Sequence, residues 1–249
     1  MTGAPNRRRN PAPDFVSTAT APAFVSRTES RLPHPDLPPW TLARLQGSLV
    51  EISGAGASGV LSSAISLVVE AQQGSGRYGL TAWIGTTRSL FFPPDAVEAG
   101  VELERLILLR LNRPSEQIAA ATRLARSGAF GLVILDLVDS VSGIPGQEAG
   151  FRPLSTSRKL ARRRPRTPPL SRLSGLARKH SSALVLLTGK PARAPSLDPR
   201  VVQRYDASRR GNEVVITVVK DKARSAGGFP ALPPGSRFER RCREPAGLC

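Results

Sequence analysis

The segment LVEISGAGASGVLSSAISLVVEA, residues 49–71, carries the strongest structural pattern in the chain. Leu49–Ser53 is a short apolar run with the length of a buried strand. Residues 54–59 form a glycine-rich turn, and Val60–Ala71 is an apolar segment long enough for a helix. The segment therefore predicts a strand, a glycine loop and a helix in immediate succession.

Outward from this segment, strand-like and helix-like patterns alternate. Strands are predicted at Leu80–Ile84, Leu106–Arg110, Phe130–Asp136, Ala183–Thr188 and Val214–Lys220. Helices are predicted at Ser115–Arg126 and Leu170–His180, and a short helix or turn at Pro94–Glu98. Ser115 is a suitable N-cap for its helix, and Gly128 stands just past the end. The alternation predicts an α/β fold, a mostly parallel central sheet flanked by helices, with ligands at the carboxyl ends of the strands.

Composition divides the chain of 249 residues into three parts. Residues 1–39 are rich in Pro, Ala, Ser and Thr without periodicity, which predicts a flexible leader. Residues 40–230 contain the alternating strands and helices and are predicted to form the core. Residues 231–249 are predicted to be a basic C-terminal tail. The core is long enough to bury its own apolar interior.

Several protein classes are disfavoured by the sequence. No apolar run approaches the ~20 residues of a membrane helix, and no apolar stretch follows Arg7–Arg9 as in a secretory signal. Cys242 and Cys249 lie in the tail, far from His34 and His180, so a four-ligand zinc site is not expected. We therefore expect a cytoplasmic protein without a bound metal.

The excess positive charge lies in the C-terminal part. The formal net charge is +17, with −2 in residues 41–150 and +17 in residues 151–249. A basic loop, residues 151–172, holds no acid and eight cations: Arg152, Arg158, Lys159, Arg162, Arg163, Arg164, Arg166 and Arg172. Such a run attracts a polyanion by releasing counterions, which indicates contact with nucleic acid. Two alternative interpretations stay open: a basic surface for an acidic protein partner, and a solvated loop without a specific role in an Arg-rich chain.

The glycine loop has the spacing of a phosphate-binding P-loop, G-x-x-x-x-G-K-[ST], without its chemistry. Gly54 and Gly59 match the two glycines, but Val60 and Leu61 stand where the lysine and the hydroxyl residue belong. The lysine neutralises phosphate charge and the hydroxyl holds Mg²⁺. The sequence therefore predicts a degenerate P-loop and no bound cofactor.

Three quoted segments give the chain a resemblance to the core of RecA recombinases. The place of the phosphate loop is occupied by LVEISGAGASGVLSSAISLVVEAQ. The helix and metal-site strand of the family are similar to SEQIAAATRLARSGAFGLVILDLVDSV, and its last core strand with the lysine pair is similar to EVVITVVKDKARSAGGF. The likeness covers about residues 41–230 and implies a RecA-like three-layer core.

The resemblance also shows which nucleotide-handling groups are missing. Asp136 matches the acidic residue at the end of the metal-site strand and is interpreted as a vestige. The acid that activates water in the family has no counterpart in WIGTTRSL, because Thr87 cannot act as a general base, and the γ-phosphate-sensing glutamine falls near Gly189. Since phosphoryl transfer depends on such groups, we expect that the protein is not an enzyme.

A truncated RecA relative without an ATP site resembles the ImuA family, encoded with mutagenic translesion polymerases in many bacteria. That resemblance implies an accessory role in the SOS response, damage-induced mutagenesis and translesion DNA synthesis. It implies as partners RecA itself, an inactive ImuB-type polymerase homologue and an error-prone replicative-type polymerase. It places the protein at the nucleoid after damage.

Lys220 and Lys222 match the lysines that reach a neighbour's nucleotide across the RecA filament joint. A protomer that keeps these lysines without a P-loop lysine would dock on a filament end and cap it. Lysines after an edge strand are also common solubilising residues, which is the alternative interpretation.

The resemblance places the basic loop at the first DNA-binding loop of the family, and Lys190 and Arg193 in the region of the second. We expect weak DNA binding through phosphates, because few aromatics are available for stacking. Two alternatives stay open: a sequence-nonspecific DNA-binding protein that acts without RecA, and an ATPase with an unconventional loop.

Overall fold

The computed structural model describes residues 40–55, 58–74, 79–139, 170–211, 213–222 and 230–241. The helices are α1 (Leu42–Leu45), α2 (Val60–Gln73), α3 (Pro93–Glu98), α4 (Pro114–Ser127) and α5 (Leu170–His180), with a short 3-10 helix at Leu103–Arg105. The strands are β1 (Leu49–Ser53), β2 (Thr81–Gly85), β3 (Leu106–Arg110), β4 (Leu132–Asp136), β5 (Ala183–Thr188), β6 (Gln203–Arg210), β7 (Glu213–Asp221) and β8 (Arg237–Arg241).

The described strands form one eight-stranded sheet in the order β3-β2-β4-β5-β1-β6-β7-β8. From β3 to β6 neighbouring strands are parallel, and β7 and β8 continue the sheet antiparallel. The predicted α/β fold with a mostly parallel sheet is confirmed. β1 lies in the middle, so the loop that follows it opens at the carboxyl edge, where ligands bind in such folds.

Two apolar clusters cover the two faces of the sheet and make the three-layer core. On one face α2 packs Ala64, Leu67 and Val68 against strand residues that include Ile52 and Val185. On the other face α4 and α5 pack against the opposite side of the same strands, with Ile118 and Leu173 fully buried. Strands covered on both faces are apolar throughout, which is why their runs are continuous rather than alternating.

The start of α4 differs from the prediction. Proline favours the first helical position, because its ring presets φ and its missing N–H needs no partner there. The helix accordingly begins at Pro114 with Arg113 as N-cap, so the assignment of Ser115 as N-cap was wrong. The predicted end is correct: Gly128 follows the helix at φ 69°, a left-handed conformation that favours glycine.

Strands β6 and β8 were not predicted. β6 pairs parallel with the central strand, and β8 pairs with β7 inside the segment that was assigned to the basic tail. The sheet therefore continues beyond position 230, which corrects that boundary. The predicted leader (1–39) and positions 151–169 of the basic loop lie outside the described residues.

The connection from β5 to β6 is a coil rather than a helix. Both strands flank β1 and run parallel to it, so the chain must cross a sheet face between them. Such crossovers are usually helical. Residues 189–202, here called the crossover coil, contain no helix or strand, and Leu197 and Val201 pack into the cluster under α4 and α5.

Across the parts of the chain that the structure describes, no helix is both long and apolar enough to span a bilayer.

Candidate functional site

The glycine loop, residues 54–59, follows β1 at the carboxyl edge, and its described residues Gly54, Ser58 and Gly59 lie close to the sheet. Ser58 forms an antiparallel bridge with Ser208 of β6. A Cβ at Gly59 would stand 2.4 Å from Cγ1 of Val214, and one at Gly54 would stand 2.6 Å from the backbone oxygen of Ala207. The two glycines therefore permit a close approach of the loop to β6 and β7.

Val60 faces the protein interior rather than a ligand. Its side chain is 2% exposed and belongs to the apolar cluster under α2, and Leu61 packs partly buried against the same cluster. Cγ2 of Val60 also lies 2.8 Å from the point that a Cβ on Gly54 would occupy. An apolar side chain thus occupies the place of a P-loop lysine, and the residue types do not fit the grip of a P-loop on Mg²⁺-triphosphate.

Asp136 ends β4 at the same edge and is held by internal donors. Ser89 Oγ donates to one carboxylate oxygen at 2.5 Å, and the backbone N–H of Val138 donates to the other at 3.2 Å. Nearby, Thr86 Oγ1 donates to Asp139 Oδ2 at 3.1 Å. The loop after β2 therefore caps the strand end with hydroxyl groups.

Burial dominates the electrostatics of Asp136. Its residue is 4% exposed, and this desolvation raises the pKa of the carboxyl above its ordinary range. The bonds from Ser89 and Val138 oppose the rise, and the neighbouring charge of Asp139 adds to it. A carboxylate in this setting binds protons more readily than an exposed one.

A buried charged network lies beside the glycine loop, under the crossover coil. Glu51 of β1 is fully buried, and its Oε1 accepts from Thr188 Oγ1 at 3.0 Å and pairs with Lys190 Nζ at 2.7 Å. Oε2 accepts the backbone N–H of Leu197 at 2.9 Å. Arg204 Nε lies 3.9 Å from Oε1, so one carboxylate is shared by two cations.

The network satisfies the backbone of the coil. Arg204 donates to the carbonyl oxygens of Pro191 (2.9 Å) and Ala194, and to Ser53 Oγ at 3.2 Å. Lys190 Nζ also donates to the carbonyl oxygen of Pro195. These partly buried carbonyl groups have no helical partners, and the charged side chains supply hydrogen bonds in place of those that a crossover helix would make. Burial lowers the pKa of Lys190, and the bond and charge of Glu51 oppose that shift.

The position of Lys190 corrects its assignment as a DNA contact. It is 7% exposed and engaged by Glu51, so its ammonium is not presented to a polyanion. Arg193 on the coil and Arg172 on α5 are exposed, as a DNA contact requires. The other predicted DNA contacts, Arg152, Arg158, Lys159, Arg162, Arg163, Arg164 and Arg166, lie outside the described residues.

The two lysines at the end of β7 have different environments. Lys220 Nζ donates to the carbonyl oxygen of Val201, and burial, the largest cause, lowers its pKa together with the neighbouring charge of Lys222. Lys222 is exposed, and its backbone N–H donates to Val202 O at 2.8 Å. Of this pair, Lys222 is exposed and Lys220 is half-buried.

Sequence reasoning missed the Glu51 network. Its signal was a carboxylate in the middle of an otherwise apolar strand, since a charge in such a place needs a partner. Arg204 could not be identified as that partner, because it lies in a strand that was not predicted, 153 positions away along the chain.

The chain is similar in sequence to RecA proteins. It is 28% identical over 200 residues to "Protein RecA" of Rubrobacter xylanophilus, covering 71% of this chain and 56% of the relative. It is 28% identical over 200 residues to "Protein RecA" of Lactobacillus delbrueckii subsp. bulgaricus, covering 71% of this chain and 58% of the relative. It is also 28% identical over 145 residues to "DNA repair protein recA homolog 1, chloroplastic" of Arabidopsis thaliana, covering 57% of this chain and 31% of the relative.

The chain thus spans little more than half the length of the two bacterial relatives. No protein-family model matches it. Together with the sheet and its flanking helices, this weak similarity supports a RecA-like fold.

Proposed function

We propose that this RecA-like chain is a non-catalytic accessory protein of damage-induced mutagenesis and translesion DNA synthesis. It binds RecA, the ImuB-type and error-prone polymerases, or both, at the nucleoid, and modulates RecA filaments. It also binds DNA weakly through phosphates. The partners follow from the resemblance to the ImuA family. One observation supports the non-catalytic role: Val60 is a buried core residue at the position that requires a phosphate-binding lysine.

Nucleotide capture tests this part of the proposal. A ligand that binds only the folded state raises the melting temperature, so millimolar Mg-ATP or a slowly hydrolysed analogue is expected to leave the melting curve of the full chain unchanged. RecA measured in parallel serves as the positive control. Tight binding with turnover would overturn the non-catalytic role.

The modulation of filaments is assigned to the β7 end. An exposed ammonium at Lys222 suits contact with a phosphate that a neighbouring RecA protomer holds, whereas Lys220 is tied to the crossover coil. A chain with this face and without a P-loop lysine offers no nucleotide to a further subunit. It would therefore end a filament instead of extending it.

Variants of the lysines test the capping role. Lys222→Gln is expected to weaken binding to RecA–ATP filaments and to relieve inhibition of strand exchange. Arg237→Gln, at an exposed arginine of β8, is the charge-matched control. Lys220→Ala/Lys222→Ala extends the test to both lysines. Wild-type affinity and inhibition in the double variant would contradict capping.

A second candidate is a sequence-nonspecific DNA-binding protein that needs no RecA partner. The exposed cations Arg172 and Arg193 favour it. Co-purification from damaged cells treated with nuclease separates the two candidates. The first predicts that RecA or the polymerase homologue remains bound, and the second predicts that neither does.

A further inference from the structure

A surface groove of about 550 Å³ has one wall on α5 and receives Arg200 from the crossover coil. Its lining residues are Ser171, Ser174, Gly175, Arg178, Lys179 and Arg200. Positions 171, 174, 175 and 178 share one helix face, because they are spaced by three and four residues. Among the described residues, the groove is lined by α5 and by one residue of the crossover coil, and by no second helix.

The lining is cationic and polar. Arg178 and Lys179 are exposed, and the side chain of Arg200 is 52% exposed. Asp198, outside the lining, pairs with Arg200 Nη1 at 3.4 Å and accepts its backbone N–H at 2.8 Å, which holds this arginine at the groove. None of the six lining residues is acidic.

Helix electrostatics explain part of this arrangement. Cations in the last turn of a helix interact favourably with its dipole, which accounts for Arg178 and Lys179. That effect does not account for Arg200, which comes from a different segment. Nor does it account for Gly175, a poor helix former whose added Cβ would meet nothing within 4 Å.

We infer that this groove binds the phosphodiester backbone of a nucleic acid strand. Two guanidinium groups, an ammonium and two hydroxyls are the donors that phosphate oxygens accept from. Positions 171 to 178 extend about 10 Å along the helix, which is long enough to contact more than one phosphate of a strand. The inference rests on the DNA-contact part of the proposed function and assigns it to a surface distinct from residues 151–169.

Gly175→Glu is the sharpest variant. It places a carboxylate among the three cations, and the space at this position together with the helix propensity of glutamate keeps the fold intact. Binding of a labelled oligonucleotide, single- or double-stranded, is expected to weaken on the order of tenfold at about 0.1 M salt. Gly175→Ala and the charge-matched Arg237→Gln are expected to bind like the wild type. The folding control is a cooperative melting transition at a temperature no lower than that of the wild type, since Gly175→Ala should stabilise α5 slightly.

Arg178→Gln/Lys179→Gln gives an independent measurement. Each phosphate-bound cation contributes about 0.7–0.9 to the slope of log affinity against log salt. The double variant is therefore expected to lower that slope by about 1.4–1.8, whereas a purely structural role in α5 would change the melting temperature and leave the slope unchanged.

Three results would overturn the inference, and they separate it from the proposed function. If the chain binds DNA but Gly175→Glu binds equally well, the groove is not the site and DNA contact lies elsewhere. If the chain binds no DNA at any salt, both the groove and DNA contact fail, while the RecA assays still test filament capping. If poly-glutamate displaces DNA at equal charge concentration, the groove takes an acidic protein instead.

Discussion

The glycine loop and the crossover coil follow adjacent parallel strands and lie side by side, since Ser53 pairs with Thr188 in the sheet. The glycine loop is closed by apolar contacts, with Val60 in the core and Gly59 against Val214. The crossover coil is held by a buried carboxylate and two buried cations. The glycine loop therefore lacks the cation that phosphate binding needs, whereas the charged groups of the coil network are buried.

The difference follows from what each segment must satisfy. The glycine loop leads directly into α2, whose helical bonds use the following peptide groups. The coil has fourteen residues and no regular bonding of its own, so its buried carbonyl groups need side-chain donors. At this edge of the sheet the P-loop position is apolar, whereas Glu51, Lys190 and Arg204 hold the crossover coil.

The largest effect is expected from Glu51→Gln. Without the carboxylate, Lys190 and Arg204 become buried cations lacking a counter-charge, so the free energy of unfolding should fall by about 3–5 kcal/mol. Denaturant melts measure this, and trypsin should cut the released coil at Arg193. Glu116→Gln, which removes only an exposed pair with Arg113, should cost less than about 1 kcal/mol.

Equal losses in these two variants would contradict the assignment of the coil's stability to the network. The variant Glu51→Gln/Lys190→Met tests the cause of the loss, because it removes one of the two cations that lack a counter-charge. It should be more stable than Glu51→Gln alone.

An intermediate effect is expected at the glycine loop. Gly59→Ala forces a Cβ against Val214 and should lower the free energy of unfolding by about 1–3 kcal/mol. Gly175→Ala, which meets nothing, should instead stabilise α5 by up to about 1 kcal/mol. In a double-mutant cycle, Val214→Ala should reduce the loss of stability that Gly59→Ala causes. If the two changes in the free energy of unfolding were strictly additive, Gly59 would not be in contact with Val214 of β7.

The smallest effect is expected from Asp136→Asn, and it depends on pH. Because burial raises the pKa of Asp136, the folded state holds its proton more tightly than the unfolded chain. The contribution of this group to stability is therefore lost as pH rises through the folded pKa, and asparagine loses nothing over that window. Melting temperatures should favour the variant at neutral pH and converge toward acidic pH, whereas a constant difference would contradict buried ionisation.

Much of the fold could be predicted because the strands are covered on both faces. β1, β3, β5 and α5 have the predicted bounds, since continuous apolar runs and helical spacing survive in the final packing. β6 and β8 were missed for the opposite reason. QRYDASRR and RFERR are rich in charge, and the counter-charge of the buried Arg204 is Glu51, which is distant in the sequence.

The candidate site was predictable only where it depends on local sequence. The substitution of Val60 and Leu61 in the P-loop pattern is visible in the chain itself, and the structure adds that Val60 is buried. Lys190 was assigned to a surface because its charge was considered without Glu51, which lies 139 positions earlier. Pairing of buried charges across a sheet is a property of tertiary structure, so position along the chain did not reveal it.

The central place of β1 has a consequence for synthesis on the ribosome. Leu49 pairs with Leu184, which follows it by 135 residues, and the other neighbour of β1 is made later still. At ~5–20 residues per second this delay is roughly 7–27 s, during which an apolar strand lacks both of its partners. The nascent chain is therefore most exposed to misassociation at the segment that becomes the centre of its sheet.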